Sequence, residues 1–233
     1  MTLNSKKEEY LIYKLADNMK NCIKIDADLF RKLDVKRGLR NDDGTGVLVG
    51  LTNIGNVVGY ERTENGLKPI EGKLYYRGYE ISDLVHAVLN EQRFGFEEIA
   101  YLLLSGGLPD AEELEQFRHL LVGNMPLMSK TMLNIVELEG TDIMNILARS
   151  VLELYTYDNT PDDISRENLM RQSVELISKF PTIIAYAYNM LRHKTFGRSL
   201  HIRHPKENFS LAENFLYMLL GNNYTPLDAR TLD

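Results

Sequence analysis

The chain has 233 residues, 44% hydrophobic and 26% charged, with a net charge of -6 and a pI near 5.5. That length is enough for a substantial core, in one large domain or two small ones. The acidic balance argues against a nucleic-acid or anionic-membrane surface. The single Cys22 has no internal partner for a disulfide. With no signal peptide and no apolar run long enough to span a bilayer, a soluble protein of the reducing cytoplasm is expected.

Residues 1–37 read as a helical N-terminal extension. Ser5 and Glu8 have capping-box spacing, and Leu11, Ile12, Leu15 and Met19 form one apolar stripe behind them. A short second helix is expected over Asp28–Leu33. Between 38 and 78 the period changes. Glycine recurs among the short runs Val47-Leu48-Val49, Val57-Val58 and Leu74-Tyr75-Tyr76, the pattern of a small antiparallel β region, with Asn65-Gly66 as a hairpin turn.

From 79 to 233 the chain reads as helical. Ile81, Leu84, Val85 and Val88 share one face at helical spacing. The next helix, Phe96–Leu104, ends at Gly106-Gly107, suited to a left-handed cap. Asp110 with Glu113 forms an N-cap pair, Leu114, Phe117 and Leu121 make the buried side, and Pro126 ends that helix. Helices follow over Ser129–Leu138 and Thr141–Tyr155. A long one runs from about Ser165 to Arg192, where Pro181 is expected to kink or split it. The last two begin at Ser210, closing at Gly221, and at Thr225-Pro226, with proline at the first helical position. The fold class is therefore mainly α, with a small antiparallel β region near the N-terminus.

Few residue groups carry chemistry on their own. His86, His119, His193, His201 and His204 are spread along the chain. His201 and His204 flank Arg203, with no carboxylate or cysteine spaced to complete a zinc site. With Arg192, Lys194, Arg198 and Lys206 they read as a solvated basic loop, or alternatively as an anion-binding segment. Gly44-Thr45-Gly46 lacks the strand, helix and full spacing of a dinucleotide loop. The adjacent acids Asp42-Asp43, Glu97-Glu98, Glu112-Glu113 and Asp162-Asp163 diverge on a helix and read as first-turn or surface charges. Arg77, where a strand hands over to a helix, either ties down backbone carbonyls, the favoured reading, or binds a carboxylate through its fork. No catalytic, substrate-binding or metal-binding residue is assigned.

Four blocks then carry a family resemblance. Leu74-Tyr75-Tyr76-Arg77-Gly78-Tyr79-Glu80-Ile81-Ser82-Asp83-Leu84 resembles a segment of citrate synthases, and Phe96 through Pro109 resembles the next helix and turn. Ser178-Lys179-Phe180-Pro181-Thr182-Ile183-Ile184-Ala185 is similar to the proline-containing helix, and Asn214–Leu219 to the one after it. Order and approximate spacing agree across nearly the whole chain from Gly38, and the N-terminal extension resembles that of longer bacterial members. The resemblance implies that 79–233 is the N-terminal half of a multi-helical large domain. It also implies a homodimer through helices near 166–191 and 210–220, acting on acetyl-CoA and oxaloacetate to give citrate and CoA, with no cofactor. Methylcitrate synthases take propionyl-CoA on the same scaffold.

In that family an LHADHE-type histidine segment, a GPLHGGAN-type loop, a second histidine, an aspartate and arginines carry the reaction. Leu227–Asp233 resembles the run-up to the first of these segments, and neither segment occurs in the 233 residues. The resemblance therefore assigns no catalytic role to any residue of this chain. It implies a truncated enzyme, inactive alone. The alternative is a non-enzymatic helical dimerisation or interaction module.

Overall fold

The computed structural model describes residues 52–64, 66–137, 140 and 142–233, together with 28, 32, 38–40, 46 and 47. The chain divides into two compact units, 1–51 and 52–233. In the first, Asp28 and Lys32 are helical, as expected, and Arg40 pairs with Gly46 in an isolated antiparallel bridge. The expected helix behind Ser5, Cys22, the acids Asp42-Asp43 and the core of the Val47–Val49 run lie outside the described residues.

The second unit opens with a three-stranded antiparallel sheet in the order β1-β2-β3. β1 is Gly55–Thr63, β2 is Gly66–Tyr76 and β3 is Tyr79–Glu80. Thr63 pairs with Gly66, and Gly66 opens β2 at φ +110°, so the turn falls one residue earlier than one centred on Asn65-Gly66. A bulge between Val58 and Tyr60 shifts the register. Most of β2 faces solvent, and Val57 on β1 is 79% exposed. Such a hairpin gains little from burial, so its ladder of hydrogen bonds and the junction at its base hold it.

Eight helices follow: α1 Ile81–Glu91, α2 Phe96–Ser105, α3 Ala111–Asn124, α4 Ser129–Glu137, α5 Ile143–Tyr157, α6 Arg166–Phe196, α7 Leu211–Leu220 and α8 Pro226–Leu232. Their ends follow local chemistry. Capping boxes at Asp110/Glu113, Ser210/Glu213 and Thr225/Asp228 satisfy orphan N–H groups at the starts of α3, α7 and α8. α5 starts two residues later than expected because Asp142 caps it by accepting from the N–H of Asn145. Gly106, at φ +93°, closes α2.

The core forms where α3, α4, α5 and α7 pack around α6. Leu121, Met125, Ile135, Ile183, Tyr186 and Met218 are at most 1% exposed. Of the expected kink or split at Pro181, the split does not occur: α6 runs unbroken through it. A proline inside a helix costs about 3 kcal/mol. Burying Ile183 and Tyr186 beside it contributes roughly 1.5–3 kcal/mol each, so packing on the flanking turns outweighs the lost hydrogen bond. α1 departs in one residue: Leu84 is buried but Val85 is 48% exposed, because α1 packs mainly on β2 and β3 and its apolar face is only partly covered. Among the described residues no helix is long and apolar enough to cross a membrane.

Candidate functional site

Four places gather the polar networks and the apolar groove of the described structure, beginning with the base of the hairpin. Arg77 sits at φ +50°, and its N–H donates to the carbonyl of Ile54 at 2.8 Å. Its Nε and Nη2 donate to the carbonyl of Leu103 at 3.3 and 2.8 Å, and Nη1 donates to Asn53 Oδ1 at 3.0 Å. Leu103 lies in the last turn of α2, where carbonyls lack intrahelical partners. The guanidinium thus binds a helix C-terminus and ties sheet to helix, in keeping with the favoured reading.

The second place is an open cleft of about 600 Å³ between the end of α5 and the first half of α6. Arg171 Nη2 donates to both oxygens of Asp158, at 2.6 and 2.7 Å, and Nη1 to Glu175 at 2.9 Å. Gln172 adds a bond to Asp158 at 2.9 Å, and Lys179 pairs with Glu175 at 2.9 Å. Arg171, then Gln172 and the N–H of Thr160, hold the Asp158 carboxyl well below the usual carboxylate range. Burial works to raise Glu175, yet Lys179 and Arg171 bring it below its ordinary value. Both acids therefore stay ionised and engaged near neutral pH. Asn168, 8% exposed, donates to the carbonyls of Thr160 and Asp163, and so fixes the α5–α6 loop.

The third place is the basic loop after α6. His193, His201 and His204 are exposed, and His193 Nδ1 lies 2.6 Å from the carbonyl of Arg198. Arg203 turns inward instead, donating to the carbonyl of Met218 at 3.3 Å and packing on Gly221. Lys206 covers the rings of Phe209 and Tyr217, at 4.7 and 4.1 Å. Buried Asn189 donates to the carbonyls of His201 and Met218, so the loop is pinned to α6 and α7. Arg203, Lys206 and Asn189 thus serve the fold. His86 and His119 are exposed on α1 and α3, so the described structure does not bring the five histidines together.

The fourth place is an apolar groove of about 470 Å³ along α6, lined by Phe96, Leu176, Ile177, Phe180, Pro181, Ile184 and Phe215. Sequence periodicity gave no sign of it, since these residues come from three helices. The sequence also missed Glu97. Read with Glu98 as a first-turn or surface charge, it does lie in the first turn of α2 but is only 1% exposed. The pair does diverge: Glu98 binds Arg93, while Glu97 Oε1 accepts from the N–H of Leu211 at 2.9 Å. Asp162 and Asp163 diverge likewise, to Tyr155 and to the Ser165 cap. Among the described residues no group of three metal-ligating side chains exists.

Residues 43–233 match the family model described as "Citrate synthase, C-terminal domain". The chain is 29% identical over 166 residues to citrate synthase 2 of Bacillus subtilis, covering 70% of this chain and 41% of that protein. It is 30% identical over 185 residues to citrate synthase of Acidithiobacillus ferridurans, covering 75% and 45%. Among solved structures, citrate synthase from Pyrobaculum aerophilum aligns with a TM-score of 0.65 at 27% identity, over 84% of this chain and 47% of that one. The chain spans less than half the length of these relatives.

Proposed function

The chain belongs to the citrate synthase family, and on that premise we propose that it supplies the supporting helical half of a protein that condenses acetyl-CoA with oxaloacetate to citrate and CoA. The observation that carries this reading is the collinear match over 43–233, on helices whose conspicuous polar groups are engaged in holding the fold. In this reading residues 79–233 are the N-terminal half of the large domain. Arg77, Arg171 and Arg203 are structural, and the reaction is carried by segments of the LHADHE and GPLHGGAN type, which these 233 residues do not contain, and by a second histidine, an aspartate and arginines that follow those segments in the family. Acetyl-CoA is a substrate, no resident cofactor takes part, and the site of action is the cytoplasm.

The same reading makes the chain a homodimer through α6 and α7. Support comes from the apolar groove lined by α6 and Phe215 of α7, in which Leu176 is 36% exposed. Contiguous apolar surface of this kind favours association. Sedimentation of the purified chain tests it: a dimer at micromolar concentration is expected, dispersed by Leu176→Glu. A compact monomer across the accessible range counts against the dimer. The supporting role is tested by CoA release from acetyl-CoA plus oxaloacetate, which the chain alone is expected not to catalyse.

A further inference from the structure

Two carboxylates meet at the N-terminus of α2. Asp233 Oδ2 accepts from the N–H of Gly95 at 2.6 Å, and both its oxygens lie 3.3 Å from the N of Phe96. Glu97, in the first turn of α2, takes the N–H of Leu211 on Oε1 at 2.9 Å and receives its own backbone N–H. Its Oε2 is buried with no partner. Asp233 thus ties α8 to the N-terminus of α2, while Glu97, one residue beyond Phe96, ties α2 to the N-terminus of α7.

We propose that Glu97 and Asp233 form a proton-controlled latch, in which α8 seats firmly on α2 while Glu97 is neutral and loosens when Glu97 ionises. A buried carboxylate with one oxygen unpaired is costly as an anion, and as an anion it repels Asp233, which is held on the adjoining N–H groups of Gly95 and Phe96. Burial is the main force raising Glu97 above its ordinary value, and Asp233 acts in the same direction. The N–H groups of Leu211 and Glu97 and the charge of Arg118 on α3 oppose it. Other charges nearby are committed elsewhere. Arg118 pairs with Glu115, Glu98 with Arg93, Glu213 serves the Ser210 cap and Asp228 the Thr225 cap.

The sign follows from linkage. The folded value lies above the unfolded one, so the contribution is fully present below the unfolded value and is lost as pH rises through the folded one.

Carboxyl carbon NMR of the 233-residue chain tests the latch without any mutation: the Glu97 midpoint is expected above the ordinary glutamate value of about 4.3. Amide exchange at Gly95 and Phe96, corrected for intrinsic rates, is expected to lose about tenfold in protection for each unit of that elevation as pH rises. Glu97→Gln should abolish this dependence, and Asp233→Asn should lower the Glu97 midpoint. A midpoint in the ordinary range, an unchanged midpoint in Asp233→Asn, or matching exchange profiles in wild type and Glu97→Gln would overturn it. If Glu97→Gln does not fold, the wild-type titration decides alone.

Discussion

Replacing Arg77 probes the joint on which the sheet depends. Its side chain makes three bonds, two to the carbonyl of Leu103 and one to Asn53. A hydrogen bond to a charged group is worth about 1.5–3 kcal/mol. The junction is half-buried and water partly replaces the lost donors, so Arg77→Ala should cost about 2 kcal/mol, toward the lower end of that range. Backbone strain adds a second signature. At φ +50° an L residue carries a left-handed penalty that glycine escapes. Arg77→Gly should therefore recover about 1 kcal/mol relative to Arg77→Ala, despite removing the same side chain. Arg77→Lys keeps the charge without the fork and should fall between wild type and alanine. Urea unfolding followed by far-ultraviolet circular dichroism reads these differences as midpoint shifts at constant slope. An Arg77→Ala variant within about 0.5 kcal/mol of wild type, the range of an ordinary surface change, would refute the clasp. A glycine variant as unstable as alanine would refute the strain.

Ile183, fully buried on α6, should cost about 2–5 kcal/mol on truncation to alanine. Met144→Ala, at a 73% exposed position, should stay within about 0.5 kcal/mol; equal losses in the two urea curves would contradict the assigned core. Asp158 is held below its ordinary value, so its stabilising contribution is present above the unfolded value near 4 and is lost as pH falls toward the folded one. The difference in thermal midpoint between wild type and Asp158→Asn should therefore narrow from pH 6 to pH 3. A constant gap would mean that the Arg171 network does not act through charge.

Local chemistry made much of the fold legible. Asp110, Ser210 and Thr225 cap helices because their oxygens accept from N–H groups two or three residues on, which spacing alone reveals. What stayed hidden depends on partners distant in sequence. Pro181 should break a helix by its own geometry, and the buried turns around it prevent this. Glu97 reads as a surface acid until α7 brings Leu211 against it, 114 positions away. In α8, Leu227 and Leu232 are the conspicuous apolar residues, yet they are 65% and 47% exposed, and Ala229 is the buried contact. Seven residues offer too little periodicity to choose a face. At the candidate sites, the role of Arg77 was readable from its place between strand and helix. The groove along α6 was not, because no single helix contains it.

The most direct test of the supporting role is a CoA-release assay on the purified, folded 233-residue chain with acetyl-CoA and oxaloacetate. No release above the protein-free blank is expected, since the reacting residues are assigned to segments these residues do not contain. Steady turnover that scales with chain concentration would contradict that assignment and place catalytic groups among the residues described as structural.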